Sequence, residues 1–307
     1  MKKTALALCA SLLLALSATA QAASVGDMIE RVLNWGRTTL GPKSVQTEPN
    51  PFSARSFINL KDDSIEISPA QKTFHTELIK QAKATESLYA NNPSFEKFYR
   101  LYLNNIVSFN NKVASRYKEK QIFDGSVAGR AIEQELAFNG FSRASRENEI
   151  PDFELTPNYG FFRLLPSLPR GWAAYFALMD EAAGKIPSVN SKKEGPAPQR
   201  LGRFLLGSDA FLKAYPDFPY AYEIRQFYAA ALTYFTHAPE IARSGAKRER
   251  YLEAYADFLK EGPETLAAPF VRQAASRVKS RDYVYSASER IEIATALGLS
   301  ARRQLVR

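Results

Sequence analysis

Residues 203–226, RFLLGSDAFLKAYPDFPYAYEIRQ, align without a gap to residues 250–273, RYLEAYADFLKEGPETLAAPFVRQ, and nine of the 24 positions are identical. The offset of 47 residues is near the length of helical-pair repeat units. The shared FLK-x-x-P-[DE] has a mechanical meaning. One helix ends before the proline, and the proline with its acidic neighbour opens the next, where the helix dipole favours negative charge. A stable stack takes about three such units, and no third copy is found upstream. The expectation is an all-α, multi-helix bundle of helical hairpins. A short helical-repeat, solenoid-like C-terminal region is the alternative.

Upstream of the repeat the text is also helical. Ser68-Pro69 reads as a cap with proline at the first helical position, and Phe74, Leu78, Ala82 and Tyr89 then share one face. A second helix starts near Ser94, with Phe95, Tyr99, Tyr102, Leu103, Ile106, Val113 and Tyr117 forming a wide apolar stripe. A third runs from about Ser126 to Phe138 and stops at Asn139-Gly140. Residues 141–169 are proline-rich and read as a long connection, after which RGWAAYFALMDEAAG forms a helix ending at Gly184. Ahead of these helices, 26–40 has helical spacing, and the proline-interrupted arm that comes next holds one short strand at SIEIS, 64–68.

The first residues, MKKTALALCASLLLALSATAQAAS, have a short positive region, twelve residues without charge from Ala5 to Leu16, and the small pair Ala20 and Ala22. This is the pattern of a secretory signal peptide cleaved near Ala22, and a membrane anchor would need about 20 consecutive apolar residues. Removal of residues 1–22 leaves 285 residues with formal charge +7 and takes away Cys9, the one cysteine. Disulfides, thiolate nucleophiles and cysteine-based metal sites are thereby excluded from the mature chain. The expected location is periplasmic or secreted. The expected organisation is a signal peptide at 1–22, an amphipathic helix and irregular arm at 23–68, an N-terminal helical region at 69–184, a polar linker or surface loop at 185–199, and a C-terminal helical region with a basic tail at 200–307.

Groups able to do chemistry are sparse. His75 and His237 are the two histidines, and neither lies in a paired-ligand spacing. His75 reads as a helix-face residue and His237 as a partner for the carbonyl end of its helix. S-x-x-K occurs at Ser94/Lys97, Ser115/Lys118 and Ser276/Lys279 without the companion elements that give it weight. No G-x-S-x-G, P-loop or G-x-G-x-x-G is present, and no metal or cofactor is expected. The acidic pairs Glu133/Glu135 and Asp180/Glu181 point to different faces of their helices. Phe161, Phe162 and Trp172 are expected in the core.

LIKQAKATES, residues 78–87, resembles the end of the catalytic helix in envelope lytic transglycosylases. That resemblance implies a peptidoglycan-cleaving enzyme in which Glu86 protonates the glycosidic oxygen. NNPSFEKFYR stands where the family continues with a GLMQ-like segment.

The tail SASERIEIATALGLSARRQLVR resembles, over about 20 residues, the second helix and turn of homeodomain-like proteins. Ser286 and Glu289 would form a capping box, Ile291, Ile293, Ala294 and Leu297 would face inward, and Gly298 would end the helix. The chain ends at Arg307, short of a recognition helix, and an exported protein meets no chromosome, so no nucleic-acid partner is expected. Residues 270–307 nevertheless contain eight Lys or Arg against three acids. The expected function is binding without catalysis: an adaptor, inhibitor or assembly factor for a protein partner or an anionic envelope component such as peptidoglycan or lipid headgroups. Arg272, Arg277, Lys279, Arg281, Arg302 and Arg303 would supply the contact surface. The alternatives are the Glu86 enzyme and a helical-repeat scaffold.

Overall fold

The computed structural model describes residues 52, 54, 56, 65–92, 94–145, 152–165, 168–183, 186, 196–237, 245–281 and 287–299. Among these residues the protein is mostly helical, with eleven α-helices and one two-stranded sheet. No described helix is long and apolar enough to cross a membrane. The contacts define two compact units, divided between Ser167 and Leu168.

In the N-terminal unit, α1 (Pro69–Asn91) opens with a full capping box. Ser68 Oγ accepts from the Gln71 N–H at 3.2 Å, and the Gln71 side chain accepts from the Ser68 N–H at 3.0 Å. Phe74, Leu78 and Ala82 are buried along one face, as the spacing requires. Ser94 caps α2 (Phe95–Lys112) by accepting from the Lys97 N–H, which gives that S-x-x-K pair a purely local role. A 3-10 turn (Ala114–Arg116) and the short α3 (Glu119–Ile122) lead to α4 (Val127–Phe138), capped by Ser126. Gly140 comes next with φ +84, a left-handed conformation suited to glycine.

Residues 141–169 are more than a connection. Strands β1 (Phe141–Ser145) and β2 (Phe153–Pro157) form an antiparallel hairpin, pairing Phe141 with Pro157 and Ser145 with Phe153, and α5 (Tyr159–Arg163) comes after it. A side chain extends the sheet from outside. Asn110 of α2 accepts from the Leu155 N–H at 2.8 Å and donates to the Leu155 carbonyl at 2.9 Å, so its amide occupies the place of a third strand. Phe74, Phe98, Tyr99, Tyr102, Phe141, Phe153 and Phe162 are fully buried around this hairpin, and the Tyr102 hydroxyl donates to the Gly140 carbonyl at 2.6 Å. Burial raises the Tyr102 phenol well above its ordinary pKa. The arm contributes to this core as well. Phe52 packs its ring 4.6 Å from Tyr89 and 5.0 Å from Phe98. No strand forms at Glu66–Ser68, because these residues lead directly into the α1 cap; the helix expected at 26–40 lies outside the described residues.

The C-terminal unit contains α6 (Arg170–Ala182), α7 (Pro198–Ala214), α8 (Ala221–Thr236), α9 (Gly245–Glu261), α10 (Ala268–Ser280) and α11 (Ala287–Ala296). Aromatic packing ties α6 to the α7–α8 pair within this unit. Trp172 lies 4.9 Å from Phe218 and 5.6 Å from Tyr220, and the Tyr175 hydroxyl donates to Glu223 at 2.6 Å.

The 47-residue repeat is structural. Moving α7 by 47 residues gives the bounds of α9, and moving the start of α8 gives the start of α10. The connections repeat bond by bond. Tyr215 N–H to Phe211 O, Phe218 N–H to Tyr215 O and Ala221 N–H to Phe218 O become Gly262 to Phe258, Thr265 to Gly262 and Ala268 to Thr265. First helix packs on first helix and second on second. The first copy also holds the second copy's connection: Leu266 N–H donates to Asp209 Oδ1 at 3.0 Å, and Ala267 N–H donates to the Tyr228 hydroxyl at 3.1 Å. Helix α7 is buried on most of its surface, whereas α9 buries Tyr251, Ala254, Tyr255 and Phe258 and turns charged residues outward. A polar outer helix is how a short stack ends.

Candidate functional site

The cations of α10 divide according to which way the helix turns them. Val271, Ala274 and Val278 are buried at helical spacing, which leaves Arg272, Ser276 and Lys279 exposed on a face toward solvent. Arg272 donates to the Pro263 carbonyl at 2.8 Å, holding its guanidinium beside the α9–α10 connection. Arg281 caps the end of the helix in the left-handed region, with φ 57 and ψ 25. It is the one non-glycine residue with positive φ among the described residues. An L side chain costs about 1 kcal/mol in that conformation, where glycine is unstrained. Arg272, Lys279 and Arg281 make no ion pair among the described residues.

Arg277 is turned inward. Its Nη2 hydrogen-bonds Glu289 Oε1 on α11, and Glu289 Oε2 lies 2.7 Å from Nε2 of His237 at the end of α8. His237 Nδ1 sits 3.0 Å from the Thr233 carbonyl and 2.5 Å from the Thr236 hydroxyl. His237 thus meets the carbonyl end of its helix, as its position indicates, and adds a carboxylate that sequence does not reveal. Burial pushes its pKa down to about 4, against the attraction of Glu289. The Arg277 hydrogen bond holds the Glu289 carboxyl below its ordinary range. Glu289 is therefore committed to this cluster, and Ser286 lies outside the described residues. Ile293, Ala294 and Leu297 are buried and Gly298 ends the helix at φ +68, but Ile291 is exposed. Arg302 and Arg303 lie outside the described residues.

Glu86 is half-buried on α1, and its Oε2 accepts from the Ala54 N–H at 3.2 Å. Its carboxylate thus ties the arm to the helix. Two residues further along the arm, Ser56 Oγ lies 3.3 Å from His75 Nε2 and donates to Glu135 Oε1 at 3.2 Å. His75 Nε2 lies 2.8 Å from Glu135 Oε2, both side chains being buried. His75 is therefore a core residue paired with an acid 60 positions away. The residues are those of a serine hydrolase, but the arrangement is not. A relay needs the serine on one ring nitrogen and the acid on the other, and here Nε2 faces both. The cluster fastens the arm. Of the other acidic residues, Glu133 pairs with Arg143 at 2.9 Å and Glu181 pairs with Arg200. No group of three or more metal-ligating side chains is assembled among the described residues.

Fold and site together define an all-α protein with a two-copy helical-pair repeat and an outward basic face on the last repeat helix. No protein-family model, curated protein or solved structure matches the chain.

Proposed function

We propose that this is an exported, non-catalytic binding scaffold of a cell envelope, and that its C-terminal repeat docks on an anionic envelope surface through Arg272, Lys279 and Arg281. The observation that carries this reading is Arg281. A helix end that glycine would suit better keeps a cation there, and strain retained at one position is a reason to look for function there. Arg272 and Lys279 share the exposed side of the same helix. The signal-peptide pattern supports the periplasmic or secreted location, where phosphate-bearing lipid headgroups offer an extended anionic surface.

Each basic side chain close to an anionic membrane is worth about 1 kcal/mol, so three give about a hundredfold in affinity, reduced by salt. The test is co-sedimentation of the mature chain with vesicles containing phosphatidylglycerol or phosphatidylcholine alone. Binding to the anionic vesicles that falls about a hundredfold in the triple variant Arg272→Glu, Lys279→Glu, Arg281→Glu supports the proposal. Equal binding by the variant removes this face from the account. Fractionation tests the location: a mature N-terminus beginning after Ala22 is expected outside the cytoplasm.

A further inference from the structure

We infer that the N-terminal unit carries a second binding site, for a small molecule bearing both an anionic group and neutral oxygen acceptors, in the cavity between α1 and α2. The cavity measures about 400 Å³, within the size range of small-molecule sites. Glu77, Lys80 and Gln81 line it from α1, Lys112 lines it from the end of α2, and Arg116 and Tyr117 from the turn beyond. Its apolar wall is Phe109 with Tyr117, and both rings pack edge-on against Phe74 at 5.6 and 6.0 Å. That wall is fixed from behind by the core.

Two independent features select the ligand. The first is charge. Lys80, Lys112 and Arg116 are exposed, and Glu77 lies 3.8 Å from Lys80. Lys112 and Arg116 make no ion pair among the described residues. The second is an unsatisfied donor: Gln81 Nε2 is shut off from solvent and has no hydrogen-bond partner among the described residues. A buried amide in that state is destabilising and calls for an acceptor. The last torsion of glutamine is broad and roughly two-fold. Rotation about it exchanges the positions of the NH₂ and the carbonyl oxygen of this cavity-lining side chain, without movement of α1.

A ligand oxygen then satisfies the amide while Lys112 and Arg116 meet the ligand's charge. A neutral sugar meets only the first requirement, and a bare ion meets only the second. A sugar acid or sugar phosphate meets both and fits the volume. This site does not depend on the α10 face, which lies in the other unit.

The experiment is titration calorimetry of the mature chain with glucuronate, glucose 6-phosphate, inorganic phosphate and glucose. The two anionic sugars bind in the millimolar range or tighter, and whichever binds more tightly decides between carboxylate and phosphate. Glucose does not bind, and inorganic phosphate binds at least about tenfold more weakly than glucose 6-phosphate. Gln81→Leu weakens sugar binding by about tenfold while its melting temperature stays level or rises, and Lys112→Glu with Arg116→Glu abolishes it. The inference is overturned if neither anionic sugar gives heat up to about 10 mM. It is equally overturned if Gln81→Leu binds as tightly as the parent, or if inorganic phosphate matches the sugar phosphate.

Discussion

Glu289 is shared by Arg277 and His237: its Oε1 accepts from Arg277, and its Oε2 lies 2.7 Å from His237 Nε2. One carboxylate on α11 therefore joins the end of α8 to the last turn of α10. Burial favours the neutral His237 ring, which has Glu289 beside Nε2 and the Thr233 carbonyl and Thr236 hydroxyl beside Nδ1.

This cluster makes stability depend on pH. His237 has its pKa lowered by folding to about 4 and Glu289 is lowered as well, so the unfolded chain binds protons first as pH falls. The stabilisation is complete above about pH 6.5 and is lost toward pH 4, by up to about 3 kcal/mol for the histidine before solvent screening. Thermal melts between pH 7.5 and 4.5 should show a falling Tm, and His237→Phe should flatten the part above about pH 5. Parallel curves for the two proteins would contradict the assignment.

Arg281→Gly should stabilise the fold by up to about 1 kcal/mol, since glycine is unstrained at φ 57. The same substitution should weaken sedimentation with anionic vesicles by about fivefold, one cation being lost. Denaturant melts and vesicle binding that move in opposite directions are the expected signature; a variant both less stable and fully able to bind would refute the functional reading of this strain.

Gly262 occupies the place in the second copy that Tyr215 occupies in the first. A Cβ added there would meet Leu206 Cδ2 at 2.3 Å and Thr265 Cγ2 at 2.8 Å, because the connection closes over α7. Gly262→Ala should cost about 1–3 kcal/mol in urea unfolding. Full stability in that variant would mean that the connection does not close over α7.

Asn110→Leu removes both bonds to Leu155 and leaves a strand N–H and C=O without their partner. A loss of about 2 kcal/mol is expected, with amide exchange rising first in β1 and β2. Uniform exchange across the unit would argue against a local role for this side chain.

The mature protein should give no clearing on a peptidoglycan zymogram. Glu86→Gln keeps an acceptor for the Ala54 N–H and should melt within about 0.5 kcal/mol of the parent. Glu86→Ala should free the arm to proteases. Clearing by the parent that disappears in Glu86→Gln would establish the enzymatic alternative.

Helix starts and stops were legible because their causes are local: Ser68, Ser94 and Ser126 each cap the first turn of a helix, and Gly140 and Gly298 supply the positive φ that ends one. The repeat was legible for the same reason, since its bonds run within the FLK-x-x-P segment and its connection. The hairpin at 141–157 was not. Its strands are five residues long and depend on each other and on Asn110, a helix residue 45 positions from its partner.

Among the candidate site residues, sequence alone placed cations near the end of the chain, and it placed the one cysteine, Cys9, in the segment with the signal-peptide pattern. It could not say that Arg277 turns inward while Arg272 and Lys279 stay outside, nor that each histidine meets an acid from a distant helix. Those outcomes are set by which faces the packed helices bury, and a buried charge must find its partner wherever the fold brings one within reach.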